Sequence, residues 1–393
     1  LEYLESLRFC SEDIEHLRSL PNLQLVRREF FEEYLPHFRF TGDVWAVEEG
    51  TPVFPPEPLL RVTAPLPEAQ LVETALLAHI AFQTSVASRA ARMVEAASGR
   101  PVVEFGGRRA HGIEAGVLAA RAAFLGGCES TSNVEAGRRF GIPVSGTMAH
   151  SWVMAFPDES SAFRHYTEVF SDHTVILLDT YDALAAARWI ATSGLRPRAV
   201  RLDSGDVISL SKHVRGILDT AGLRDTTIFV SGDLDEWRIA EMLAGGARVD
   251  AFGVGAALST SSDAPSLGAV YKLVEIERDG AAIPIMKLSP GKHTYPGRKQ
   301  VWRLFDDRTA VEDVIELADA QTTSRGRPLL KRMMRGGRRE MAPQSIEDLR
   351  TRSRGAVAEL PASVRRLHDP LRYSVRFGDT LQSTIERLSR TTG

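Results

Sequence analysis

The chain has 393 residues with 48 Lys+Arg against 51 Asp+Glu, a formal charge of −3, 43% hydrophobic and 25% charged residues. This near-neutral, ordinary globular composition gives no overall pull toward nucleic acid or anionic lipid, and no apolar run approaches the roughly 20 residues a membrane-spanning helix needs. Two cysteines, Cys10 and Cys128, form no CxxC pair and no disulfide framework, so a reducing, cytoplasmic compartment is expected, with no charged-then-apolar leader at the start.

Residues 1–98 read as a mixed α/β region. Helical patterns at Glu2 to Phe9 and Gln70 to Ala97 flank Pro-rich, strand-like pieces at Thr41 to Pro52 and Leu59 to Thr63. Residues 99–275 alternate short β-rich runs with amphipathic helices, the signature of repeated βα units on a parallel sheet. The expected strands are Val102 to Phe105, Ile142 to Ser145, Thr174 to Leu178, Ala199 to Leu202, Thr227 to Val230 and Asp250 to Val254. One helical stripe follows Asp206 through Val207, Leu210, Val214, Ile217 and Ala221; another comprises Ile113, Val117, Ala120 and Phe124 and stops at Gly126-Gly127. Six such units in series favour a closed or nearly closed barrel, with an open doubly wound sheet as the alternative. Residues 276–393 are expected to hold two strands around Pro284, a Lys/Gly/Pro-rich loop and then polar helices. The basic stretch Arg325 to Arg339 lacks aromatics and reads as a solvated face.

Polar, glycine-bearing clusters stand behind successive strands: Phe105 to Gly112, Ser130 to Asn133, Gly146 to Ser151, Asp179 to Asp182, Arg201 to Asp206, Ser231 to Asp235 and Gly253 to Gly255. In a parallel barrel all strand C-termini open on one face, so these clusters converge on one mouth. Arginines, carboxylates, a histidine and glycines together suit a phosphorylated substrate with a divalent cation. Each piece also has a plainer role. Arg108 and Arg109 can pair with Glu104 or Glu114, Asp206 can simply cap a helix, and His150 can be a satisfied structural histidine. Gly253-Val254-Gly255 lacks the third glycine of a dinucleotide fingerprint, since Leu258 stands there, and no GxxxxGK[ST] loop occurs. The joint placement of the clusters, rather than any one of them, points to a site.

Taken together, these words resemble the nicotinate phosphoribosyltransferase family over residues 1–305. The resemblance rests on the Phe105 to Gly112 run, Thr131-Ser132-Asn133, Gly146 to Ser151, Val200 to Asp206, Ser231 to Glu236, Asp263-Ala264-Pro265, Leu267-Gly268, Val270 to Leu273, and Lys292 through Lys299-Gln300-Val301. It implies an α/β fold with an incomplete TIM-like barrel of the type II phosphoribosyltransferases, beside a mixed α/β domain built from both chain ends. It further implies a homodimer with active sites at the interface. The reaction it implies joins nicotinate to 5-phosphoribosyl 1-diphosphate, giving nicotinate mononucleotide and diphosphate in NAD biosynthesis, with Mg²⁺ and with ATP as co-substrate.

Carried onto this sequence, the resemblance makes His150 the transiently phosphorylated histidine and Asp203 the carboxylate on the ribose and Mg²⁺ side. Thr147, Arg201 and Ser132 would hold nicotinate. Ser132 stands where nicotinamide-using relatives carry an Asp, which would repel a substrate carboxylate. Arg108, Gly232, Asp233, Gly253, Gly255 and Thr260 would receive phosphate and diphosphate, and no resident metal ligand is assigned. Ser130 and Ala256 depart from the family's usual Gly and Thr. The family's opening segment, with a Thr-Asp-Leu-Tyr word, does not appear before the helical run at Leu1, so the chain is expected to lack the family's N-terminal segment and to turn over poorly as given. Quinolinate phosphoribosyltransferase, a non-catalytic phosphoribosyl-binding paralogue and an aldolase-like barrel are the competing readings. The Ala149-His150-Ser151 word argues against the first, and the absence of lysine from the strand-end clusters argues against the last.

Overall fold

Val- and Ile-rich runs that are apolar on both faces suit a parallel sheet covered by helices on its outer side. The computed structural model, which describes residues 1–289, 294–320 and 326–391, places them in one six-stranded sheet. Its strands are β1 (Val102–Glu104), β2 (Ser130–Thr131), β3 (Val175–Leu177), β4 (Ala199–Leu202), β5 (Thr227–Val230) and β6 (Ala251–Val254). Their lateral order is β2-β1-β6-β5-β4-β3, every pair parallel.

β4 and β5 occupy the expected residues, and β1, β3 and β6 are trimmed at their ends. The expected strand over Ile142 to Ser145 does not form. Only Val144 bridges, in parallel, to Thr131, because Pro143 has no N–H to offer and Gly146 follows almost at once. The short polar pair Ser130–Thr131, expected as part of a loop cluster, takes the strand position instead.

The 143–148 segment nevertheless spans the gap between the edge strands. Thr131 donates its N–H to Pro143 O at 3.0 Å and accepts from Ser145 N at 3.0 Å, while Met148 N reaches Val175 O at 3.4 Å. The sheet is therefore an irregularly closed, incomplete barrel, and the open doubly wound alternative is excluded. Its buried core runs through Ile176, Leu177, Val200, Leu202, Ile228, Val230, Phe252 and Val254. The covering helix Val207–Thr220 starts where the Asp206 side chain accepts from Ser209 N, and buries Val207, Val214 and Leu218. In helix Ile113–Leu125 the stripe begins at Val117 and not at Ile113, which is 91% exposed.

The two chain ends meet in a second sheet, where strand Asp43–Val47 lies between Leu60–Thr63 and Leu330–Arg335, antiparallel to both. Leu4, Phe40, Val44, Val72 and Met334 pack beneath it. The polar helices expected directly after residue 305 are a correction. Lys299–Asp306 and Thr309–Leu317 form an antiparallel pair, joined by Arg327–Pro328 and by parallel Ser374–Phe377, and helices return only at Ile346–Ala358. The strand pattern is masked because charged residues occupy inward positions: Arg303 and Asp313 are both fully buried and pair at 2.6 Å. Arg325 to Arg339 is likewise no uniformly solvated face. Leu330 and Met334 are buried, Arg332 and Arg335 hold Glu340 at 2.7 and 2.8 Å, and Arg339 holds Glu5 at 2.7 Å. Arg325 itself, and Lys292 of the Lys/Gly/Pro-rich loop, lie outside the described residues.

Around the Arg303–Asp313 pair, Tyr373 Oη donates to Asp313 at 3.1 Å and Arg303 Nη2 donates to Pro52 O at 2.9 Å. Glu57 joins this cluster. Burial first, then the Asp313 carboxylate, pushes its pKa up to about 9, so it holds a proton that the unfolded chain releases in the ordinary carboxylate range. Folding stability from this group is thus full below that range and is lost as pH rises toward about 9. Thermal melts should show the wild type losing stability relative to Glu57→Gln from about pH 4.5 to about pH 9; parallel profiles would contradict this. Replacing Arg303 by Met strands the Asp313 charge, and denaturant titration should read a loss of about 3–5 kcal/mol.

Candidate active site

Strand-end residues are fixed by the sheet and can be placed accurately, and the mouth of the barrel is built around two of them, Arg201 at the end of β4 and Asp203 just beyond it. The Arg201 guanidinium donates from Nε to Ser231 Oγ at 2.7 Å, from Nη1 to Thr147 Oγ1 at 2.7 Å and Met148 O at 3.5 Å, and from Nη2 to Asp203 Oδ1 at 2.6 Å. Four of its five N–H groups are thereby committed. Asp203 Oδ1 also accepts from Ser231 Oγ at 2.5 Å, and its backbone N–H donates to Asp179 Oδ2 at 2.8 Å. Burial alone would raise the Asp203 pKa. The Ser231 hydroxyl, Arg201 and His150 outweigh it and hold the carboxyl below its ordinary value, so Asp203 is an anion.

His150 opens the short helix His150–Met154. Its Nδ1 lies 3.2 Å from Thr180 Oγ1 and its Nε2 lies 3.7 Å from Asp203 Oδ2, with the side chain 40% exposed. The ring is therefore held by one hydroxyl while remaining open to the mouth, on the same side as Arg201. His150, Asp203, Arg201 and Thr147 are brought together as expected.

A cleft of about 210 Å³ adjoins them, lined by Asp203, Ser204, Gly205, Ser231, Gly232 and Asp233, with Arg238 at its side. Gly232 has φ +100°, and a Cβ there would lie 2.0 Å from Asp203 O, so no side chain fits and the backbone itself faces the cleft. Asp233 takes the left-handed conformation at φ +46° and pairs with Arg109 at 2.8 Å, linking the loop after β5 to the loop after β1. Arg109 thus meets Asp233 rather than Glu104 or Glu114. Glu104 instead accepts from the Gly106 N–H and from Thr131 Oγ1, and Glu114 pairs with Arg139.

The other expected residues stand around this centre. Arg108 is exposed on the turn Gly107–Arg109 with no hydrogen bond or ion pair among the described residues. Ser132 is exposed behind β2, its N–H donating to Glu104 O at 2.9 Å. Gly255 precedes the helical turn Ala256–Ser259, and the Thr260 hydroxyl donates back to Ala256 O at 2.8 Å, which spends its proton inside that turn. Gly253 lies within β6, where a Cβ would come 2.7 Å from the Phe229 ring. Its smallness makes room for aromatic packing rather than opening onto the cleft.

Four further residues were not singled out from the sequence. Asp179 holds the Asp203 backbone and, at 2.7 Å, the Ser204 hydroxyl, while its Oδ1 is buried without a hydrogen-bond partner. Thr180 orients His150, and Ser231 bridges Arg201 and Asp203. Phe105 follows β1 and packs against Phe229 with ring centroids 5.5 Å apart, and the Arg201 guanidinium lies 5.8 Å from its ring. All four sit in strand-end clusters, which was the available signal; which members faced inward was not legible.

Comparison with known proteins bears on the family and the fold. The model of the nicotinate phosphoribosyltransferase N-terminal domain matches residues 1–81, that of the quinolinate phosphoribosyl transferase C-terminal domain residues 86–264, and that of the nicotinate phosphoribosyltransferase C-terminal domain residues 321–385. The first match overturns the expectation that the family's N-terminal segment is lacking. A nicotinate phosphoribosyltransferase of Mycobacterium tuberculosis is 43% identical over 99% of this chain and 83% of its own length, and one of Bacillus subtilis is 46% identical over 83% and 68%. The crystal structure of human nicotinic acid phosphoribosyltransferase superposes with a TM-score of 0.84 at 28% identity, covering 98% of this chain and 90% of that one. A nicotinate-nucleotide pyrophosphorylase from Pyrococcus furiosus superposes with a TM-score of 0.71 at 30% identity over 81% of each chain. With its two terminal regions matching the two nicotinate phosphoribosyltransferase domain models and with relatives 43% and 46% identical over most of its length, this chain belongs to the nicotinate phosphoribosyltransferase family.

Proposed function

We propose that this protein joins nicotinate to 5-phosphoribosyl 1-diphosphate, forming nicotinate mononucleotide and diphosphate, and that ATP drives the reaction through phosphorylation of His150. The observation that carries this reading is the convergence of the His150 imidazole, the Asp203 carboxylate and the Arg201 guanidinium at one end of the barrel.

In the tautomer whose Nδ1–H donates to Thr180 Oγ1, Nε2 keeps its lone pair. That pair attacks the γ-phosphorus of ATP, the bond from this phosphorus to the β–γ bridging oxygen breaks, and ADP leaves with its electrons. Water later takes the phosphoryl group back from nitrogen, releasing phosphate and the free imidazole.

In the second half-reaction the pyridine nitrogen of nicotinate attacks ribose C1 as the C1–O bond to diphosphate breaks. The nitrogen lone pair is already free, so no general base is needed, and positive charge develops on the ribose. Asp203, held ionised by its neighbours, stabilises that charge. Asp203 would hold the Mg²⁺ that accompanies the diphosphate, and the ion's charge would there neutralise the leaving group. Asp203 fits the ion, because Oδ2 makes no hydrogen bond among the described residues, and the Asp179 carboxylate beneath adds negative charge.

Gly232 and the adjoining turn present backbone to the phosphoribosyl end, with Arg108 free to fork onto phosphate oxygens. Nicotinate lies near Phe105, Thr147 and Arg201, where the remaining Nη2 N–H and the field of the guanidinium attract its carboxylate; Ser132 adds a neutral donor at the rim. The same reading includes a homodimer whose partner completes the mouth, and a cytoplasmic reaction. Among the described residues no helix is long and apolar enough to cross a membrane.

Incubation with γ-³²P-labelled ATP should label the wild type and leave His150→Ala at background; equal labelling would remove His150 from the mechanism. Asp203→Asn should lower kcat by about 10²–10³-fold while leaving the label on His150, as read by steady-state product formation beside the labelling assay.

A further inference from the structure

The words Asp235-Glu236 and Asp263-Ala264-Pro265 lie outside the centre described above, yet they meet in an ionic cluster centred on the buried pair Arg89 and Glu236. Helix Glu73–Ala96 sends Arg89 and Arg92 toward the segments that follow β5 and β6. Arg89 is 2% exposed and Glu236, the first residue of helix Glu236–Ala244, is 1% exposed. Arg89 Nε meets Glu236 Oε2 at 2.9 Å, Nη1 meets Asp263 Oδ1 at 2.5 Å, and Nη2 lies 3.9 Å from Asp235 Oδ2. Arg92 duplicates the bridge, with Nε at 2.9 Å from Glu236 Oε1 and Nη2 on Asp263 Oδ2. The buried Arg89 guanidinium, with Arg92 beside it, therefore ties the segment after the loop of Gly232 and Asp233 to the segment after the turn that carries Gly255 and Thr260. Ser261 Oγ adds a bond to Ser85 O at 3.4 Å on the same helix.

Such a cluster is a poor way to gain stability. Desolvating Arg89 and Glu236 costs several kcal/mol per ion, and apolar residues of like volume commonly do as well or better. Arg89 Nε and Nη1 also meet their partners as charges, without aligned N–H bonds. What the charges do supply is a fixed separation between two segments that no shared backbone ladder joins beyond the strand ends.

We propose that Arg89 is a positioning residue. Through Glu236 and Asp263 it sets the spacing between the Gly232–Asp233 loop, which receives the phosphoribosyl end in the reading above, and the turn of Gly255 and Thr260. This rests on the phosphoribosyl reading given above and deepens it.

The test compares wild type, Asp263→Asn, Arg89→Met and Arg89→Lys by calorimetric titration with 5-phosphoribosyl 1-diphosphate and Mg²⁺, together with KM for both substrates and thermal melts. Asp263 is half-exposed, so its Asn variant should fold even where Arg89→Met does not. Asp263→Asn should raise the Kd for 5-phosphoribosyl 1-diphosphate about tenfold, which is about 1.4 kcal/mol, with KM for nicotinate within about twofold of the wild type; Arg89→Lys should recover part of the loss relative to Arg89→Met. A folded Asp263→Asn protein whose Kd matches the wild type would overturn the proposal and leave the cluster as a helix anchor. Wild type that binds 5-phosphoribosyl 1-diphosphate but makes no nicotinate mononucleotide would sink the proposed reaction while the Kd comparison still decides the role of Arg89. Wild type that does not bind it would overturn both.

Discussion

The pairing of Arg201 with Asp203 organises the mouth of the barrel. A single residue separates them in the chain and both side chains leave the same side of the strand end, so β4 alone sets their distance, and at 2.6 Å the pair is short and partly shielded from solvent. Everything else at the centre is oriented by it. Thr147 and Met148 are held by one end of the guanidinium, Ser231 by the other, and Asp203 keeps its second oxygen turned toward His150. Because Ser231 follows β5 and Thr147 lies in the segment closing the barrel, one ion pair couples three separate parts of the chain.

Closure of the barrel is the companion constraint. A regular strand over residues 142–145 would have carried the chain straight along the sheet edge. Pro143 and Gly146 instead limit the ladder to one bridge, and the segment swings across to β3 with Met148 on Val175. That crossing delivers Thr147 and His150 to the mouth. The irregularity that defeats strand recognition is thus the means by which the histidine reaches Asp203, a local departure from ideal geometry at a functional place.

The region formed by the chain ends illustrates a different limit. Its strands read poorly because the inward positions of Lys299–Asp306 and Thr309–Leu317 include Arg303, Asp313 and Gln300, and a binary hydrophobic pattern assumes apolar residues there. Gln300 is satisfied by Leu330, donating from Nε2 to its O at 2.8 Å and accepting from its N–H at 2.9 Å. A partner 30 residues away is invisible to any local window. The basic run ending at Arg339 shows both cases, since Arg332 and Arg335 find their acid close by at Glu340, whereas Arg339 finds its own at Glu5, across the whole chain.

Local sequence determined the alternation of strands and helices between residues 99 and 275, because parallel strands buried on both faces must be continuously apolar and their helices must carry one apolar stripe. It also determined that the polar chemistry gathers behind those strands, since parallel strands share one C-terminal face. His150, Asp203, Arg201, Thr147 and Gly232 were legible on that ground and through the family words they stand in. Tertiary structure alone decided which neighbours turn inward, so that Asp179, Thr180, Ser231 and Phe105 join the site while Gly253 packs against a ring. It alone paired Arg89 with Glu236 and Asp263, and Val44 with Met334. Contacts between residues far apart in the chain depend on how whole elements pack, and side-chain periodicity within one element carries no record of its partner.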